Sequence, residues 1–202
     1  MTLLKRIQAL ETLIEAFPAE PVLFTCGATS REAASIKTLP NHFYVLDSMG
    51  LVSSIGLGLS LALAGAPFKK CVVVEGDGGM LMNLSSLSTI GALRPENLLL
   101  VILDNQSYAS TGGQPTITDR VDIAAIAAAC GIKTWTPSDR GTFIEALDEA
   151  LAAPGPCLVR LNISPGNTNV PYFQEDPAVL MHQFVSFLGS YNRRVPGGTQ
   201  KD

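Results

Sequence analysis

The chain has 202 residues, 47% of them hydrophobic and 16% charged, with a net charge of −4. That length can bury a substantial core within one domain, and the composition excludes a disordered chain. The acidic balance and the absence of any Lys/Arg-rich run exclude a cationic stripe for a phosphate backbone, so no nucleic-acid partner is expected.

The first residues, Met1-Thr2-Leu3-Leu4-Lys5-Arg6, place charge where a secretory leader needs an apolar core, which predicts a cytoplasmic protein. Cys26, Cys71, Cys130 and Cys157 are scattered without a CxxC spacing, which predicts buried free thiols in a reducing compartment. Leu3, Ile7, Leu10, Leu13, Ile14 and Phe17 fall at helical spacing until Pro18 ends the pattern, so residues 3–17 read as an amphipathic helix. Residues 21–25 read as a short strand stopped by Gly27, and Ser30 as the cap of the next helix. A strand over 43–46 leads into a helix over 48–66.

The stretch from Met49 to Phe68 carries no charge and is about as long as a membrane span. Its small residues, Gly50, Ser53, Ser54, Gly56, Gly58, Ser60 and Gly65, suit close packing, and no aromatic belt precedes it. The expectation is a helix buried between a sheet and a partner, with no membrane involved. Downstream, residues 71–75, 98–103, 132–136 and 156–163 read as strands, and 81–93, 122–130, 140–152 and 178–188 as helices. Residues 105–120 form a polar, glycine-containing loop long enough to carry function. Continuous apolar runs such as 71–75 belong to parallel sheets. The alternation predicts an α/β fold: a doubly wound, mainly parallel sheet with helices on both faces, and ligands beyond the strands' carboxyl ends. One domain over 1–190 and a mobile tail over 191–202 complete the expected organisation.

Chemistry concentrates after two of the strands. Asp77 follows the 71–75 strand, between Gly76 and the pair Gly78-Gly79, and precedes a helix. Glycines there permit a tight turn and close approach of a ligand, and the helix start favours anions, so a cation-bound diphosphate suits the place. Gly-Asp-Gly is equally ordinary turn chemistry. Asn105 stands twenty-eight positions on, just past the next apolar strand. A right-handed strand–helix–strand unit brings both to one sheet edge, where their oxygens can share a hard cation.

The Gly76-Asp77-Gly78 signature closing on Asp104-Asn105 resembles the pyrophosphate-binding half of thiamine-diphosphate enzymes, over most of the chain. The resemblance implies that thiamine diphosphate is the cofactor. It also implies Mg2+ ligation by Asp77, the Asn105 side chain and the Ser107 carbonyl. Ser48-Met49-Gly50 through Ser53 and Ile55 is similar to the segment running under the cofactor, with Ile55 as the bulky prop; a core residue of an apolar helix is the alternative for Ile55. Gly76, Gly78, Gly79 and Tyr108 complete the implied cofactor contacts.

The loop from Asn105 through Ser107, Tyr108, Ser110, Thr111 and Gln114 is similar to that of sulfopyruvate and phosphonopyruvate decarboxylases. This implies a beta-type subunit of a 2-oxo acid decarboxylase, with Ser110, Thr111 and Gln114 near the substrate; a mere surface turn at 112–116 is the other reading. No residue of the chain supplies the glutamate that this chemistry requires, so a pyrimidine-binding alpha subunit is expected in a hetero-oligomer. No cation is assigned to the substrate's sulfonate or phosphonate. A carboligase or oxidoreductase subunit, or a noncatalytic cofactor-binding module, remain the alternatives. His42 and His182 read as solvated, and strand alternation points Glu75 to the other side from Asp77's immediate neighbours, so none receives a role.

Overall fold

The computed structural model describes residues 3–173 and 175–192; most of the segment read as a tail, residues 193–202, lies outside the described residues. Helix α1 (Arg6–Ala16) precedes strand β1 (Val22–Phe24), α2 (Ala28–Ile36), β2 (His42–Tyr44) and α3 (Val52–Ala62). Next come β3 (Cys71–Gly76), α4 (Asp77–Met82), α5 (Ser86–Leu93) and β4 (Leu98–Asp104). A hairpin of β5 (Ser107–Tyr108) and β6 (Gln114–Pro115) leads to α6 (Ile123–Ala129), β7 (Lys133–Trp135), α7 (Arg140–Ala152), β8 (Cys157–Asn162) and α8 (Pro177–Asn192).

Six strands form one parallel sheet in the order β2-β1-β3-β4-β8-β7. The chain leaves β1 for β2 on one side and β3 for β4 on the other. Their carboxyl ends therefore part at a topological switch point, where a crevice opens. Alternate side chains bury both faces. Val72, Val74, Leu99, Val101 and Val159 meet Leu10, Leu13, Ala33, Phe143 and Leu147 from α1, α2 and α7. Val73, Leu98, Leu100, Ile102 and Leu158 meet Val52, Leu57, Met80, Leu87, Ile90 and Ile123 from α3 to α6. Two-sided burial is why these strands read as unbroken apolar runs.

Gly56 explains the small residues of α3: a Cβ there would collide with the Val73 side chain, so the helix lies directly on β3. Only one face of α3 is buried, however. Leu51, Ile55 and Leu61 remain exposed on the other, the side that the expectation gave to a partner. Among the described residues no helix is long and apolar enough to cross a membrane.

Several local expectations are corrected. The helix expected over 81–93 is two, because Asn83 leaves helical geometry and its side-chain amide donates to the Gly50 carbonyl and to Ser54 Oγ, both at 2.9 Å. Ser30 does not cap α2, which starts earlier, behind Gly27 at φ 86°; its hydroxyl donates instead to the Thr25 carbonyl at 2.7 Å. The 105–120 loop contains the β5–β6 hairpin.

His42 is not solvated: it lies in β2, 2% exposed, with Nδ1 3.1 Å from the Tyr44 hydroxyl and Phe24 edge-on to its ring. Burial lowers its pKa from 6.5 to about 4. A histidine kept neutral by the fold contributes stability above its unfolded pKa and loses it as pH falls. Between pH 6.5 and 4 the wild type is expected to lose about 3 kcal/mol relative to His42→Phe. Urea titrations across that window measure it; the lost Tyr44 contact adds only a pH-independent offset. Parallel pH curves for the two proteins would refute the assignment.

Candidate active site

The crevice at the switch point is built by three chain segments. After β1 come Thr25 and Cys26; after β3, Gly76-Asp77-Gly78-Gly79; after β4, Asn105 and the hairpin. Its volume is about 200 Å³. Gly76 ends β3 in an extended conformation and Asp77 opens α4, so the carboxylate stands in the first turn of a helix. The β3–β4 register pairs Gly76 with Leu103, which brings Asn105 beside Asp77.

Asp77 is 1% exposed. Its Oδ1 accepts from the Asn105 backbone N–H at 3.3 Å and its Oδ2 from the Thr116 hydroxyl at 2.6 Å. Asn105 Oδ1 accepts from the Ser107 N–H at 3.0 Å, closing an Asx turn over Gln106, a non-glycine residue at φ 56°. That turn starts the hairpin, whose return strand delivers Thr116. From Thr116 a buried chain continues: its hydroxyl lies 3.1 Å from that of Thr118, which donates to Asp104 Oδ1 at 2.9 Å. Asp104 Oδ2 in turn accepts from Arg160 Nε at 2.9 Å and pairs with its Nη2 at 2.7 Å.

Thr116, Thr118 and Arg160 were not singled out from the sequence, and Asp104 entered only as part of the Asp104-Asn105 signature. The available signal was faint: an acid directly before Asn105 and two threonines at strand-like spacing. Burial holds the Asp77 carboxyl above the usual range; the Thr116 hydrogen bond opposes this, and the negative charge of Asp104 reinforces it.

Glu75 must be reassigned. Alternation sets it opposite Gly76 and Gly78 but not opposite Asp77, two positions on, and where β3 ends at Gly76 and the chain turns into α4 both acids line the crevice. Glu75 Oε1 accepts from the Gly76 N–H at 2.9 Å, and burial pushes its carboxyl up to about 7. A Cβ on Gly79 would strike the Glu75 carboxylate, and one on Gly78 would lie 2.7 Å from the Tyr108 ring. These two glycines are therefore required by their neighbours.

Met49, Gly76, Asp77, Gly78, Gly79, Asn105, Ser107, Tyr108, Ser110 and Thr111 share this crevice. Ser48, at φ 69°, faces two adjoining cavities, one of them shared with Ile55. Gly50 and Ser53 lie behind the wall: Gly50 receives the Asn83 amide, and the fully buried Ser53 hydroxyl is 3.1 Å from that of Ser86. Gln114 stays outside, its Oε1 accepting from Thr111 Oγ1 at 2.8 Å. His182 is exposed on α8.

The donor set is one carboxylate, one carboxamide and neighbouring backbone carbonyls. Among the described residues no group of three or more His, Cys, Asp or Glu side chains could hold a metal ion. Hard oxygens with a single charge suit a Mg2+ whose remaining positions are filled by ligand phosphates and water. The residues present therefore fit a Mg2+-diphosphate group.

The family model for the thiamine pyrophosphate enzyme, C-terminal TPP binding domain, matches residues 25–161. Sulfopyruvate decarboxylase subunit beta of Methanothermobacter thermautotrophicus is 40% identical over 183 residues, 91% of this chain and 95% of that one. Phosphonopyruvate decarboxylase of Streptomyces viridochromogenes is 42% identical over 197 residues, 96% of this chain but 48% of that protein, so the chain spans about half of it. The solved benzoylformate decarboxylase of Polynucleobacter necessarius shares the fold at a TM-score of 0.68 and 20% identity, over 81% of this chain and 34% of that chain. The chain belongs to the thiamine pyrophosphate enzymes, as a carrier of their C-terminal TPP-binding domain.

Proposed function

We propose that this chain is the beta-type subunit of a thiamine-diphosphate- and Mg2+-dependent 2-oxo acid decarboxylase of the cytoplasm, converting sulfopyruvate to sulfoacetaldehyde and carbon dioxide. The carrying observation is the 40% identity to a sulfopyruvate decarboxylase beta subunit, over 95% of that protein. Four free cysteines are in keeping with a reducing compartment.

In this reading Asp77, the Asn105 side chain and the Ser107 carbonyl hold Mg2+ and thereby the diphosphate. Bound thiamine diphosphate supplies a nucleophilic carbon and takes up the electrons released as carbon dioxide leaves. The chain's share is positioning. Thr116 fixes Oδ2 of Asp77 by a short hydrogen bond, while Oδ1 has only the longer contact from the Asn105 N–H; Tyr108, packed on Gly78, walls the crevice; Met49 and Met82 supply apolar surface at its rim. Ile55 and Met49 are exposed, as residues meeting a cofactor or a second chain would be. The glutamate that activates the cofactor is assigned to a pyrimidine-binding alpha subunit, with the cofactor between the two chains.

The test is turnover by the complex co-purified from the native host, supplied with thiamine diphosphate and Mg2+. Sulfopyruvate is expected to release aldehyde with kcat/KM about tenfold or more above phosphonopyruvate and pyruvate, a difference of about 1.4 kcal/mol in transition-state binding. This chain alone is expected to turn over none of them. Aldehyde release from phosphonopyruvate in preference would reassign the substrate, and tight cofactor binding without turnover of any of the three would favour a noncatalytic module.

A further inference from the structure

Beside the crevice lies a second cavity of about 500 Å³. The two share Cys26, Ala28, Met49, Ala109 and Ser110, so a ligand seated in one can extend into the other. The loop of Ser110 is seated against the start of α2: a Cβ on Gly27 would lie 2.9 Å from Ser110 Oγ. Among the described residues one cation faces the second cavity, Arg31, in the first turns of α2.

Arg31 is half-buried, with its guanidinium over the Tyr172 ring at 5.0 Å from the centroid. Among the described residues it forms no salt bridge. Arg6, the cation on the wall of the crevice, is by contrast committed to Glu32 Oε1 and Asn167 Oδ1, both at 3.0 Å. Among the described residues Asp47 is the one carboxylate lining the second cavity; it is exposed and unpaired with Arg31. Ser48, Ser110 and Asn167 add neutral polar groups.

The crevice proper is lined by the Asp77 carboxylate and, in the reading above, filled by the diphosphate, which leaves the second cavity for a further negative group. An anion at the far end of a substrate is best placed beside a guanidinium that stacking holds in position and whose donor fork remains free for two oxygens.

We propose that Arg31 binds the tetrahedral oxyanion, sulfonate or phosphonate, carried on the carbon next to the keto group of the 2-oxo acid. The assignment rests on the decarboxylase reading above and makes Arg31 a specificity-determining residue rather than part of the cofactor site. The experiment compares wild type, Arg31→Gln and Arg31→Lys in the complex co-purified from the host. In Arg31→Gln, kcat/KM for the tailed substrate, sulfopyruvate or phosphonopyruvate, is expected to fall about 30-fold or more, mainly through KM, as for the loss of charged hydrogen bonds. Turnover of pyruvate, which has no tail, and affinity for thiamine diphosphate are expected to stay within about twofold, with Arg31→Lys intermediate. An equal fall for tailed and untailed substrates, or no fall, overturns the proposal.

A second measurement separates this from failure of the decarboxylase reading. Binding of 3-sulfopropionate and 3-phosphonopropionate to the full chain is followed by calorimetry. If wild type turns over no tailed 2-oxo acid, the functional reading falls, and weaker binding of these dianions to Arg31→Gln still supports the site. Equal binding to both proteins, or none to wild type, overturns it.

Discussion

Asp77→Asn is expected to remove the stabilisation that thiamine diphosphate and Mg2+ confer on the native complex, while leaving the fold intact. At ligand concentrations about 100 times Kd, binding stabilises by about 2.7 kcal/mol, which for a domain of this size is about 5–11 °C in Tm. The variant is expected to shift by less than about 2 °C, because the charged ligand of a site holding one carboxylate has gone. Without ligand the sign reverses. Burial holds the Asp77 carboxyl above its ordinary value, so ionising it costs the fold stability as pH rises past the unfolded pKa. The asparagine keeps the shape without the charge, and at pH 7.5 it is expected to be at least as stable as wild type. Thermal melts with Mg2+, cofactor, both or neither check both halves; an undiminished shift in the variant would remove Asp77 from the metal site.

Arg160→Ala is expected to be the most destabilising single change considered. Asp104 is 1% exposed, and Arg160 provides it with two charged contacts at 2.7 and 2.9 Å. Removing one partner of a buried pair strands the other, at a cost of about 3–5 kcal/mol, whereas replacing both is far milder. The double variant Arg160→Met with Asp104→Asn is therefore expected to recover more than half the loss. The damage reaches the crevice as well, since Asp104 Oδ1 receives Thr118 at 2.9 Å and Thr118 adjoins the threonine that fixes Asp77. Mg2+-dependent cofactor affinity is expected to fall about tenfold in Arg160→Ala, the usual effect of losing an outer-shell partner. Denaturant titration and calorimetry read the two effects separately; an unchanged denaturation midpoint would show that the pair carries no stability.

How much was legible in advance follows from what each feature depends on. Parallel strands buried on both faces must be written as apolar runs, so residues 71–75 and 98–103 could be read directly. Their spacing around one helical crossover put Asp77 and Asn105 at a common edge, because the handedness of such crossovers is nearly fixed. The helix over 81–93 looked continuous because its apolar spacing is helical; the break comes from Asn83 reaching Gly50 and Ser54, more than twenty positions upstream. His42 read as a loop residue because its cover, Phe24 and Tyr44, is apparent only once β1 and β2 are paired.

The sequence by itself determined the doubly wound sheet, the two strand ends that carry Asp77 and Asn105, and a family whose cofactor suits them. Each of these is written in local periodicity and short-range spacing. Only the tertiary structure decided how Asp77 is held, by Thr116 and through it Thr118, Asp104 and Arg160. It also returned Glu75 to the crevice and, among the described residues, left Arg31 without a salt bridge. These are relations among residues up to 83 positions apart in the chain, from Asp77 to Arg160, and no local pattern records which distant hydroxyl or charge the folded backbone brings within hydrogen-bond reach.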